Sequence, residues 1–248
     1  MRNLIVSVTL LASSVAMPVI AAEFPATLVW ADRTALSLPI SGLVKDVKVR
    51  AGQDVPAGGL LLELDARPFD ARLHKAQAGV QGLERKRAEA KNEAKRAQEL
   101  YARTVLSNVE LEKAHIDQQQ VEGQYQEARA QQQLIEVERS YTQLKAPFAA
   151  RVLAVNIAPG EAISAAMQAP TLIEVARSNV IDVVAKLKPE EVVGLKLGGK
   201  VDVEVNGSKV SGEIIAIESP KEGGYCVVVR VPAADGWLAG LSAKIITP

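Results

Sequence analysis

The spacing of apolar and polar positions divides the chain into three regimes, and the first of them is written twice. Between Leu38 and Asp65, Gly42, Val44, Val47, Val49, Gly52 and Val55 fall at fixed steps. Between Ala146 and Glu174 the same steps carry Ala150, Val152, Val155, Ile157, Gly160 and Ile163. Pro39 matches Pro147, and Leu64 matches Leu172. The β-branched, alternating run 43–49 and the apolar run 60–64 read as strands. Ser41-Gly42, Ala51-Gly52-Gln53 and residues 56–59 read as turns between them, with Gly160 as the counterpart of Gly52. Glycine at Gly52 suits a left-handed backbone. Two short β-units that cannot each bury a core can do so face to face. Ahead of them, residues 27–38 alternate weakly and predict one edge strand.

Between the copies the period changes from two to three and a half. From Pro68, a residue suited to a first helical turn, Phe69, Leu73, Ala76, Val80, Leu83, Ala90, Ala94, Ala97 and Tyr101 keep a four-three spacing broken by Arg87. After Ser107-Asn108 the seam resumes with Leu111, Ala114, Val121, Tyr125, Ala128 and Ile135, and Gln118 and Gln132 hold the intervening positions. This is the pattern of two antiparallel coiled-coil helices, with Asn108 as the expected cap of the second. The alanine-rich seam buries little area per layer, which favours support from neighbouring copies. Residues Ala146-Pro147 stop the second helix.

The third regime begins after Arg177. Residues 180–187 read as a strand and 189–195 as a short helix. Val201, Val203 and Val205 alternate with Asp202 and Glu204, and Asn206-Gly207 is a two-residue hairpin signal. Runs 210–217, 225–231 and 243–246 follow, so the region predicts a small β-barrel.

Composition narrows the chemistry. Lys plus Arg and Asp plus Glu both number 29, so no basic footprint for nucleic acid exists. The one cysteine, Cys226, can form neither an internal disulfide nor a zinc cluster, and its apolar surroundings predict a buried small side chain. His74 and His115 lie in the helical insert without partners at ligand spacing. No nucleophile–base set and no phosphate loop emerges. Arg2, the apolar run 4–16 and small residues at Ala21 and Ala22 read as a signal peptide over residues 1–22. An uncleaved anchor is the rival reading.

The order of these parts resembles the periplasmic adaptor, or membrane fusion protein, family of tripartite efflux pumps. Residues 41–55 are similar to the opening signature of that family, 141–148 to its re-entry signature, and 238–244 to the end of its barrel domain. The resemblance implies a mostly β fold with a long α-helical hairpin. A split lipoyl-like (barrel-sandwich hybrid) domain would occupy residues 38–66 and 141–176, a coiled-coil hairpin 67–140, and a β-barrel domain 177–248. It also implies a hairpin tip at which Arg96, Leu100 and Ser107 meet an outer-membrane exit duct. Arg96 and Leu100 are one helical turn apart and share a face.

On the same resemblance, the partners are an inner-membrane transporter, with the resistance-nodulation-division (RND) type favoured, an outer-membrane duct protein, and further copies of the chain in a ring. The protein would act in the periplasm, peripherally attached to the envelope, as a non-enzyme. The insert replaces the hairpin on which a lipoyl carrier displays its modified lysine, so no cofactor is expected. Two departures stand out. Ala150 stands where the family often has glycine. A membrane-proximal domain built from both chain ends is expected to be mostly lacking, because little sequence precedes the first repeat or follows the barrel. An adaptor of an ATP-driven exporter or secretion system, or a free periplasmic coiled-coil scaffold, are the alternative functions.

Overall fold

The computed structural model describes residues 22–166, 169–219 and 223–247. The expected signal peptide lies outside these residues apart from Ala22. In chain order the elements are β1 (Ala22–Trp30), β2 (Thr34–Leu36), β3 (Gly42–Val47), β4 (Asp54–Val55), β5 (Leu60–Leu64), α1 (Arg67–Ala102) and α2 (Asn108–Ser140). They continue with β6 (Gln143–Lys145), β7 (Ala150–Val155), β8 (Ala162–Ile163), β9 (Ile173–Arg177), β10 (Val180–Leu187) and α3 (Pro189–Val192). Last come β11 (Lys200–Val205), β12 (Ser208–Glu218), β13 (Tyr225–Pro232) and β14 (Ser242–Thr247). The chain divides into two compact units, one of residues 32–178 and one that joins the segment ending at Ala31 to the segment beginning at Asn179.

In the first unit the repeat becomes two interlocked four-stranded sheets, ordered β2-β9-β7-β4 and β6-β5-β3-β8. Each copy lends its two-residue strand to the sheet of the other, β4 to β7 and β8 to β3. The ties are reciprocal. Gly52 N–H donates to the Val152 carbonyl and Gly160 N–H to that of Val44, both at 2.8 Å. Val152 N–H returns to Gln53 (2.9 Å) as Val44 N–H does to Glu161 (2.8 Å). Strands β3 and β7 carry the same register shift, between Val44 and Asp46 and between Val152 and Ala154. Val44, Leu61, Leu62, Leu64, Val152, Ile173 and Val175 are almost fully buried between the sheets.

The register corrects one expected match. Leu64 pairs with Val44, and the residue paired with Val152 is Val175, not Leu172. The loop after β8 is longer than its counterpart, so buried leucines align in sequence but not in space. Gly52 and Gly160 are left-handed, at φ 86° and 88°. Gly42 is no turn residue: it is the first residue of β3, and a Cβ there would stand 3.1 Å from Leu64 Cδ1. A side chain at that position would crowd Leu64. Ala150, at the equivalent place, opens β7 fully buried.

Helices α1 and α2 run antiparallel. Asp70 pairs with Arg139, Arg72 with Glu138 (3.3 Å), and Arg87 with Glu122. Every expected seam position from Phe69 to Ala97, and from Leu111 to Ile135, is buried or half-buried. Arg87, the interruption in the seam, lies 4.7 Å over the Tyr125 ring while it holds Glu122. A polar group at a single seam position fixes which turns face each other. At the root, Asp65 accepts from the Arg67 backbone N–H (3.1 Å) and from its guanidinium (2.6 Å to Nη2). Those bonds hold the Asp65 carboxyl down at about 2.

The second unit is a closed barrel in the order β1-β10-β13-β12-β11-β14. The barrel expected from 177–248 alone is thus completed by β1, and the single edge strand expected over 27–38 is two strands. Trp30 ends β1 in the barrel, Asp32 turns at φ 49°, and β2 joins the sandwich. Closure removes free sheet edges. Leu28, Val183, Val203, Val227, Val229 and Val231 fill the interior with no exposed area. Gly212 leaves room for them: a Cβ there would lie 2.5 Å from a Val229 methyl and 2.7 Å from one of Val231. Buried Asp182 accepts from the Arg230 guanidinium at 2.8 and 3.0 Å. The expected helix over 189–195 is shorter: Val193 is already extended at ψ 116°, and Gly194 then turns left-handed at φ 103°. Cys226 is half-buried rather than enclosed.

Candidate functional site

The far end of the helix pair is built by two capping motifs. Helix α1 ends on Arg103, and Thr104 follows in the left-handed region at φ 58°. Thr104 N–H donates to the Tyr101 carbonyl (2.9 Å) and Val105 N–H to that of Leu100 (3.0 Å). This is a Schellman closure with threonine where glycine is the usual residue. Helix α2 starts from Ser107, not from Asn108 as expected: a capping box decides it. Ser107 Oγ accepts from Glu110 N–H (3.3 Å) and donates to the Glu110 carboxylate (2.7 Å), which also accepts Ser107 N–H (3.0 Å). The Ser107 hydroxyl, and then its backbone N–H, lower the Glu110 pKa below the ordinary glutamate value.

Of the three tip residues expected from sequence, two are free to meet a partner. Arg96 is exposed and bound only to Glu93 on its own helix among the ion pairs of the tip. Leu100, one turn on, is exposed. Ser107 occupies its hydroxyl in the cap. Sequence reasoning missed the rest of the surface: Tyr101 is exposed beside Leu100, and Val105 and Val109 are 69% and 77% exposed. The four-three spacing placed Tyr101 in the seam, but the seam ends a turn before it. Leu100, Tyr101, Val105 and Val109 are thus four exposed apolar side chains on the residues that flank the turn between α1 and α2, in the same stretch as exposed Arg96 and Arg103. They provide no nucleophile, base or electrophile.

The barrel-sandwich hybrid domain of RND membrane fusion proteins matches residues 36–175, more than half of the chain and the whole of the interrupted repeat. The chain belongs to the membrane fusion protein family. A curated relative, the macrolide export protein MacA of Yersinia pestis, is 27% identical over 182 residues. The match takes in 68% of this chain and 49% of that protein, so the chain spans about half the length of this relative. Among solved structures, the membrane fusion protein Spr0693 of Streptococcus pneumoniae R6 superposes with a TM-score of 0.69 at 14% identity, over 91% of this chain and 98% of that one. MacA of Actinobacillus actinomycetemcomitans gives 0.64 at 17% identity, over 91% and 78%. These two likenesses establish the fold. Membrane fusion proteins are non-enzymatic adaptors, in keeping with a site made of contact side chains.

Proposed function

We propose that this membrane fusion protein is a periplasmic adaptor that links an inner-membrane efflux transporter to an outer-membrane exit duct. The observation that carries the reading is the tip. A helix of 36 residues, about 54 Å long at 1.5 Å per residue, ends in exposed Leu100, Tyr101, Val105 and Val109 beside Arg96. Such a rod, rooted by ion pairs on an interlocked β-sandwich, suits contact at a distance. The RND description of the matching domain favours a resistance-nodulation-division transporter as the inner-membrane partner. An ATP-driven exporter is the other outcome of the test that closes the Discussion.

The working form is a ring of copies with the helix pairs side by side as coiled-coil hairpins. Its support is the outer face of α2, where Val109, Ile116, Gly123, Ala130 and Val137 recur at seven-residue steps and all are exposed. The matching outward positions of α1 are Ala78, Arg85, Asn92 and Glu99. A solvated outer face is ordinarily polar, so the uncharged stripe on α2 is read as covered by a second copy. Arg96→Asp tests the tip: export should be abolished at an unchanged protein level, and normal export in that variant removes Arg96 from the contact.

A further inference from the structure

The barrel unit presents a second apolar feature, far from the helix tip in sequence. The segment 192–200 joins α3 to β11. Val192 and Leu195 pack against the barrel core. Val193 and Leu197 point away from it and are 84% and 67% exposed. Gly194 and Gly198, at φ 103° and 77°, make the bends that send neighbouring side chains to opposite sides. The loop is fixed by its backbone. Leu195 N–H donates to the Val192 carbonyl (3.0 Å), Gly198 N–H to that of Ile214 (2.9 Å) and Ile214 N–H to that of Gly199 (2.9 Å). The two aliphatic side chains are therefore held out by a formed structure.

Charge and position indicate what they face. Segment 192–200 contains Lys196 and Lys200 and no acid, and Lys186 and Lys188 are exposed on the approach to α3. Of the nearest acids, Glu191 is engaged by Lys188 N–H (2.7 Å) and Glu23 by Lys244 (3.0 Å), Glu213 stands cross-strand from Lys200, and Glu190 is exposed, so the loop itself adds the two lysines Lys196 and Lys200 without an acid of its own. The antiparallel registers put the starts of β1, β11 and β13 and the ends of β10, β12 and β14 at this end of the barrel. Ala22, the first described residue, opens β1 at this end. Trp30 ends β1 and Val180 opens β10 at the opposite end of the barrel.

We propose that this loop docks on an anionic lipid surface, with Val193 and Leu197 in the headgroup–acyl boundary and Lys196 and Lys200 at the level of the phosphates. Aliphatic tips flanked by long cationic side chains suit that boundary, where the stem is buried and the amine stays wet. A stable protein interface needs a much wider patch than two side chains supply. One loop binds weakly and reversibly, and several copies in one assembly multiply the contact. The inference goes beyond the adaptor reading and holds whichever exporter is served.

The test is flotation of the full chain with phosphatidylglycerol-rich vesicles, against phosphatidylcholine vesicles as control. The wild type should float with the anionic vesicles, less so as salt is raised. The Val193→Ser/Leu197→Ser double variant should lose at least about five-fold of the bound fraction, with the joint emission of Trp30 and Trp237 unchanged as evidence of an intact barrel. In a Leu197→Trp variant, brominated lipid should quench the emission beyond that of the wild type with its native Trp30 and Trp237, which separates loop insertion from attachment through any other segment. Absence of wild-type flotation, equal flotation of the double variant, or quenching no greater than that of the wild type each overturns the proposal. So does loss of transporter co-purification in the double variant when the wild type ignores vesicles, since the loop would then dock on protein.

Discussion

Replacing Ser107 by alanine separates a capping role from a contact role at the helix tip. The substitution removes the acceptor of Glu110 N–H and the hydroxyl donor to the Glu110 carboxylate. Losing a serine cap costs about 1 kcal/mol. Spread over the helix pair that is a small loss, but it falls on one turn. There, 1 kcal/mol raises the population of the opened turn about five-fold. Amide hydrogen exchange at Glu110 and Leu111, the first-turn amides bonded to Ser107, should therefore quicken about five-fold in Ser107→Ala, while amides near Tyr125 keep their rates. Ser107→Thr keeps an acceptor and should exchange like the wild type. The Glu110 pKa is lowered in the folded chain, so its half of the box is fully present above the ordinary glutamate range. That half is lost as pH falls through the folded value. After correction for intrinsic rates, protection of Glu110 and Leu111 should be flat above the ordinary glutamate range and decline as pH falls below it. The decline should be blunted in Ser107→Ala. Unchanged exchange in Ser107→Ala would refute the capping argument. Abolished export in Ser107→Thr, with exchange intact, would return Ser107 to the contact surface.

Three further outcomes follow from the geometry. Thr104→Gly relieves a β-branched residue held at φ 58° and should stabilise the helix pair by about 1 kcal/mol, read as a higher urea midpoint by circular dichroism. Gly212→Ala forces a Cβ against Val229, Val231 and the Arg230 carbonyl and should destabilise the barrel by about 1–3 kcal/mol, read from the joint emission of Trp30 and Trp237 on heating. Ile116→Glu places a charge in the uncharged stripe of α2 and should lower the mass seen by light scattering without loss of helicity. An unchanged mass would take the second copy off that face.

The interrupted repeat was legible because its glycines and β-branched residues answer to local demands. Gly52 and Gly160 need left-handed backbone, and Val44 and Val152 need the same buried slot. The helical seam was legible for the same reason, down to Arg87 as its exception. What sequence left open depends on longer range. Leu64 and Leu172 are both buried, so a lengthened loop between β8 and β9 is invisible until the register is seen. Strand β1 buries only Ala26 and Leu28 and alternates weakly, and its place is set by β10 and β14, more than a hundred residues away. The α2 cap turned on Glu110: Ser107 and Asn108 both suit the position, and only the reciprocal bond selects Ser107. At the tip, the family resemblance singled out Arg96 and Leu100, and helical spacing put them on one face. The exposure of Tyr101 and Val105 follows from where the Schellman turn ends α1.

The central claim is that the chain bridges a transporter and a duct. It is tested most directly by affinity purification of the tagged protein from gently crosslinked, detergent-solubilised envelopes, read by mass spectrometry. The account predicts co-recovery of an RND transporter and an outer-membrane duct protein, with the duct lost in Arg96→Asp. An ATP-driven exporter in place of the RND transporter would keep the adaptor role and reassign the inner-membrane partner. Recovery of neither transporter nor duct, with an envelope enzyme enriched instead, would contradict the account and make the helix pair a periplasmic scaffold.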